Sequence, residues 1–315
     1  MDLKKTLREY RPNVKDITIN NYSKYLNKLA TLITDKKFAT IKPFLKPKVL
    51  ISKIQDRPLS TQKAYIASVL VLLNNNDKYE KELTEYRKYL EAINSKYEAE
   101  RMEKKKTETE DKNWATMKQI NEVREKLKKK VELQKLFSKS TLTAGQFNLL
   151  RSYIIASLYT LLPPRRNIYN SVKLLSKKAY NKLRDAELKK NYLVYNGRQM
   201  FLHLGEQKSK NFNEQTLQVP KKLKTILKKY LDHKAISNND LDLLLTTAKG
   251  KKLTTQNMTN ILNKVFNIQG KKISSTMLRK IYVSEVIAPH IEKVQEAAEA
   301  MGHSTAIQNK NYNKK

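Results

Sequence analysis

The second half of the chain carries, in order, side chains suited to an anionic centre. Arg165 and Arg166 follow Pro163 and Pro164 at the exit of an apolar segment. Lys208 and Lys210 sit in a polar turn between two β-like segments. Arg279 follows Met277 and Leu278 on a segment opened by Ser274 and Ser275, and His303 follows Gly302. Tyr312 comes nine residues after the histidine. Guanidinium groups fork onto the oxygens of a phosphate, and imidazole and ammonium groups can donate further hydrogen bonds to it. A phenol oxygen can act as the nucleophile at such a centre.

Composition points to the same kind of partner. Lys+Arg number 64 against Asp+Glu 30, a formal charge of +34. That excess must be offset in use by something anionic, and nucleic acid is the first candidate because neutralised phosphates release counterions. With no cysteine in the chain, disulfides, thiolate metal sites and cysteine nucleophiles are excluded. Four scattered histidines argue against a zinc site. Six glycines, none in a phosphate-binding loop, argue against a nucleotide-binding fold. No apolar run approaches the length of a bilayer span. The charged start (Asp2, Lys4, Lys5, Arg8) has no signal-peptide core. These features predict a soluble intracellular protein, in the cytoplasm or nucleus of a host cell, with no membrane partner.

The elements that must position the candidate residues follow from periodicity. Ile19, Tyr22, Leu26, Leu29 and Ile33 predict a helix capped by Asp16 or Thr18. Ser60 caps a second, with Tyr65, Val69 and Leu72 on one face. Leu83, Tyr86, Leu90, Ile93 and Tyr97 predict a third. From Arg101 to Lys112 the apolar pattern stops, and residues 106–113 read as a charged linker. Beyond it, Ile120–Leu136 is helical, and Thr143 to Gln146 is a capping box opening a second helix that Pro163 and Pro164 stop. Asn191–Tyr195, Gln199–Leu204 and Gln215–Val219 predict a three-stranded meander with Asn196-Gly197 as its first turn. Helices resume at Leu223–Leu231, Thr255–Phe266, after Ser274, where Pro289 closes the helix, and at Ile291–Met301, where Gly302 stops the last one.

Basic residues in this order resemble the tyrosine recombinase (phage-integrase) family over nearly the whole chain. Arg11, Pro12, Thr18 and Tyr22 are similar to the opening of its N-terminal domains. The Pro163–Arg166 form and the Met277–Ser284 run look most like integrases of large DNA viruses and eukaryotic mobile elements. The resemblance implies a mainly α fold with a small three-stranded β-meander: a helical DNA core-binding domain at 1–105, the linker at 106–113, and a mixed α/β catalytic domain at 114–315. It implies Arg165, with Arg166 as alternative, and Arg279 as the arginines of the site. Ile168 stands where the family has an acid. Lys208, with Lys210 as alternative, takes the place of the β-turn lysine, His303 that of the histidine, and Tyr312 that of the nucleophile. Thr276 stands where the family has a histidine or lysine able to take up a proton, so Lys280, Lys272 or water would have to serve.

The activity implied is site-specific recombination or integration through a 3′-phosphotyrosyl intermediate, without metal or cofactor. The implied partners are double-stranded DNA and further copies of the chain in a homo-oligomer, a tetramer on DNA. The segment after Tyr312, Asn313 to Lys315, is shorter than the resemblance implies. Two neighbouring readings share the same residues: a type IB topoisomerase relaxing supercoils, and a non-catalytic DNA-binding relative.

Overall fold

The computed structural model of the chain describes residues 2–74, 76–103, 105–166, 168–205, 214–233 and 242–307. The chain divides into two compact units, Met1–Lys106 and Thr107–Lys315.

The described part of the first unit is helical. It runs through α1 (Leu3–Tyr10), α2 (Asp16–Thr34), α3 (Pro47–Ile54), α4 (Leu59–Leu73) and α5 (Glu80–Met102). α4 packs against both α2 and α5. Leu26, Leu29, Phe44, Leu50, Ile66, Val69 and Tyr86 form its core. Each such side chain stabilises the fold by about 1.5–3 kcal/mol on leaving water. Buried Tyr86 keeps its polar end satisfied by donating to the Phe44 carbonyl at 2.9 Å. Two expected caps differ. Asp16 opens α2 without capping it and pairs with Arg8 of α1 instead. α4 starts one residue before Ser60, because Pro58 already has the extended backbone of a cap and leaves the hydroxyl unused.

The second unit opens with α6 (Glu108–Lys112), so the charged stretch at 106–113 holds a short helix opened by a Thr107–Glu110 capping box. Then come α7 (Met117–Leu133) and α8 (Ala144–Leu161). Thr143 Oγ accepts from the Gln146 N–H, and Gln146 Oε1 accepts from the Thr143 N–H. α8 is apolar almost all round, with Leu150, Ile154, Ile155, Leu158 and Tyr159 fully buried, and it is the central helix of the unit. Around it pack α7, α11 (Lys221–Leu231) and α12 (Thr255–Val265).

Among the described residues the sheet has four strands, not the three of a meander. β2 (Asn191–Tyr195), β3 (Met200–Leu204) and β4 (Gln215–Gln218) are antiparallel neighbours. β1 (Lys173–Ser176) lies parallel to β2 at the edge. Its crossover contains α9 (Lys177–Tyr180) and α10 (Asp185–Leu188). β1 was invisible to periodicity because it is only four residues long and buries neither face fully. The first turn spans four residues, since Tyr195 pairs with Met200. Asn196 closes it by accepting from the Gln199 N–H, and Gly197 takes the left-handed conformation.

Pro289 does not close the helix that bears Arg279. α13 (Ser275–Tyr282) continues through a wide π-turn, Val283–Ile287, into α14 (Ala288–Ala300). Proline falls in the first turn of α14, where the shifted ladder has no need of its N–H. Gly302 does stop α14, at φ +74. The Gly302 N–H donates to the Glu299 carbonyl and that of His303 to the Ala298 carbonyl, the paired closure of a helix end. A short turn of helix, α15 (Thr305–Ile307), follows. Among the described residues no helix is long and apolar enough to cross a membrane.

Candidate active site

Arg165 leaves the end of α8 after Pro163 and buried Pro164. The prolines end the helix abruptly, so Arg165 is held close to the core instead of continuing a solvated face. Its Nη2 donates to Gln215 Oε1 at 2.6 Å. Half-burial pushes its pKa below the ordinary arginine value; the Tyr169 phenol works the other way, and the positive charge of Arg279 pushes it lower still. The charge of Arg279 is thus felt at Arg165. Tyr169 is fully buried against Tyr159, with ring centroids 5.2 Å apart. Burial raises its pKa, and Arg165 only partly opposes that. Arg166, the alternative, is exposed.

Arg279 stands on α13, whose Met277, Leu278 and Ile281 are buried. Those three seat the helix on the core and leave Arg279 on the open side. Among the described residues no carboxylate pairs with Arg165 or Arg279. Thr276 is exposed in the first turn of the same helix. Lys280, next to Arg279, pairs with Glu110.

Lys208 and Lys210 lie outside the described residues, but the ends of their loop are fixed. It leaves β3 at Leu204 and re-enters β4 at Gln215, which stand opposite each other. Gln215 is the residue that holds Arg165. At the other end, Gly205 donates its N–H to the Lys190 carbonyl, and a Cβ there would lie 1.8 Å from the Leu188 carbonyl oxygen. Only glycine permits that approach.

Tyr312 also lies outside the described residues. His303 is half-buried, its Nδ1 3.3 Å from the Ser304 carbonyl. The helical path from Arg279 to Ala300 is unbroken. At 1.5 Å per residue it carries His303 roughly 30 Å from Arg279 along the axis. Arg279 thus lies within electrostatic reach of Arg165, while the helical path carries His303 away from Arg279.

Sequence reading missed two supports of this site. Gln215 looked like an ordinary strand residue, and its role depends on pairing opposite Leu204. Glu285 carries no local signal either. Its Oε2 accepts from the Met117 N–H at 2.7 Å and its Oε1 from the Trp114 indole N–H at 3.4 Å. No family model, curated protein or solved structure matches this chain.

Proposed function

We propose that this chain is a DNA-cutting and rejoining enzyme, a site-specific recombinase or integrase of the tyrosine type. The observation that carries the reading is that Arg165 feels the charge of Arg279, from a distant part of the chain, while neither pairs with a described carboxylate. Two unpaired guanidiniums within electrostatic reach of each other suit a phosphate, and they would fork onto the non-bridging oxygens of a phosphodiester as charge builds up on them. The Tyr312 oxygen attacks phosphorus and forms the 3′-phosphotyrosyl bond. The bond to the 5′-oxygen breaks, and Lys208 or Lys210 supplies the proton that oxygen needs. The phenol proton passes to water, since Thr276 cannot take it and Lys280 is paired with Glu110. His303 donates to the same phosphate once the helix beyond the π-turn carries it there, within one copy or between copies of a tetramer on duplex DNA.

A nicked suicide substrate carrying the protein's own site tests the reading. Wild type becomes covalently linked to the DNA, and Tyr312→Phe binds without linkage. Linkage that persists in Tyr312→Phe overturns the assignment of the nucleophile. The second reading, a non-catalytic DNA-binding relative, is favoured by the separation of His303 from Arg279 and by Thr276. It predicts binding without linkage in wild type as well.

A further inference from the structure

The helix that carries Arg279 is tied, before and after that residue, to the opening stretch of the second unit. Ahead of it, the Lys272 N–H donates to Asn113 Oδ1 at 2.7 Å, and the Lys271 ammonium donates to the Trp114 carbonyl. One residue beyond Arg279, Lys280 pairs with Glu110, whose side chain is only 18% exposed. In the π-turn, Glu285 uses both carboxylate oxygens, one on the Met117 N–H and one on the Trp114 indole. Met117 is the first residue of α7, so Glu285 also places a negative charge at a helix N-terminus, where it is stabilising. π-turns recur at functional sites, and here the turn is the one that bears Glu285. Among the described residues, its buried face and these ties fix the rotation of α13, and that rotation aims Arg279.

We propose that Glu285 and Glu110 are positioning residues: together they clamp α13 against the 110–117 stretch and so aim the Arg279 guanidinium at the phosphate. This rests on the reading of Arg279 as a phosphate-binding residue. Neither carboxylate touches the reacting atoms. A shift of about 1 Å in Arg279 suffices to slow chemistry by about 100-fold.

Glu285→Gln and Glu110→Gln test this in the full chain by two readouts. The first is independent of activity. Amide hydrogen exchange across 275–287 should quicken about tenfold in each variant, and the fluorescence of Trp114, the sole tryptophan, should shift in Glu285→Gln. The second is covalent linkage to the nicked substrate. The rate constant at saturating DNA should fall about 10- to 100-fold, while the fraction finally linked and the half-saturating DNA concentration stay within about twofold. A misfolded variant would lose the linked fraction instead. Combined with Arg279→Ala, Glu285→Gln should cost less than about a further twofold, because the two act through one group. Unchanged hydrogen exchange in both variants overturns the proposal whatever the rates. Quickened exchange with unchanged linkage rates overturns it while leaving the functional reading intact. A wild type that never links to DNA overturns the functional reading and this proposal with it.

Discussion

Arg165 feels the positive charge of Arg279, and neither pairs with a described carboxylate. Like charges at close range are costly unless the surroundings over-determine them. Here they are over-determined. Pro163 and Pro164 fix where Arg165 leaves α8, Gln215 holds its Nη2, and the buried face of α13 seats Arg279. The repulsion is relieved when a doubly coordinated anion sits between the two.

Replacing either arginine should therefore act on chemistry more than on binding. Arg165→Ala and Arg279→Ala are each expected to slow covalent linkage about 10²- to 10³-fold. DNA affinity, spread over many lysines, should change by less than about tenfold. Arg165→Lys and Arg279→Lys should recover little, because an ammonium cannot fork onto two oxygens. Single-turnover rates beside filter-binding affinities check this.

DNA affinity should depend steeply on salt. A chain with a formal charge of +34 that neutralises many phosphates should lose roughly 10³-fold or more in affinity between about 50 and 200 mM salt. A flat response would remove DNA as the partner. Relaxation of a supercoiled plasmid that lacks the recognition site would instead favour the topoisomerase reading.

Gly205→Ala should disturb the loop that carries Lys208 and Lys210. The new Cβ meets backbone, not a side chain that can swing away. The expected destabilisation is about 1–3 kcal/mol, read as a lower urea midpoint, with slower linkage as Gln215 and Arg165 lose register.

Stability should fall at alkaline pH. Tyr86, Tyr169 and Tyr230 are buried, and burial raises the pKa of each phenol above its ordinary value. The unfolded chain releases these protons near pH 10 and the folded chain holds them. Their contribution is thus complete below about pH 10 and is lost progressively above it. Urea midpoints at pH 8, 10 and 11 should show the fall, and Tyr169→Phe should lessen it.

Much of this architecture is local, and local physics is written in the sequence. The longer helices of both units follow from apolar periodicity, the opening of α8 from Thr143 and Gln146, the end of α14 from Gly302, and the β2–β3 turn from Asn196 and Gly197. Each involves only neighbours in the chain. β1 escaped because four half-buried residues carry no period. Pro289 misled because a proline stops a helix only where its missing N–H is needed, and a π-turn removes that need.

The types and order of the candidate residues, and the positions of Arg165 after α8 and of His303 after Gly302, are legible in the sequence alone. Which of them interact was decided by the tertiary structure. Arg165 is half-buried and feels the charge of Arg279 while Arg166 is exposed, a difference set by how the chain leaves buried α8 after Pro164. Gln215 and Glu285 gained their roles from strand register and helix rotation. His303 was set apart from Arg279 by the unbroken helical path through Val283–Ile287, a consequence of backbone geometry that no spacing of residue types records.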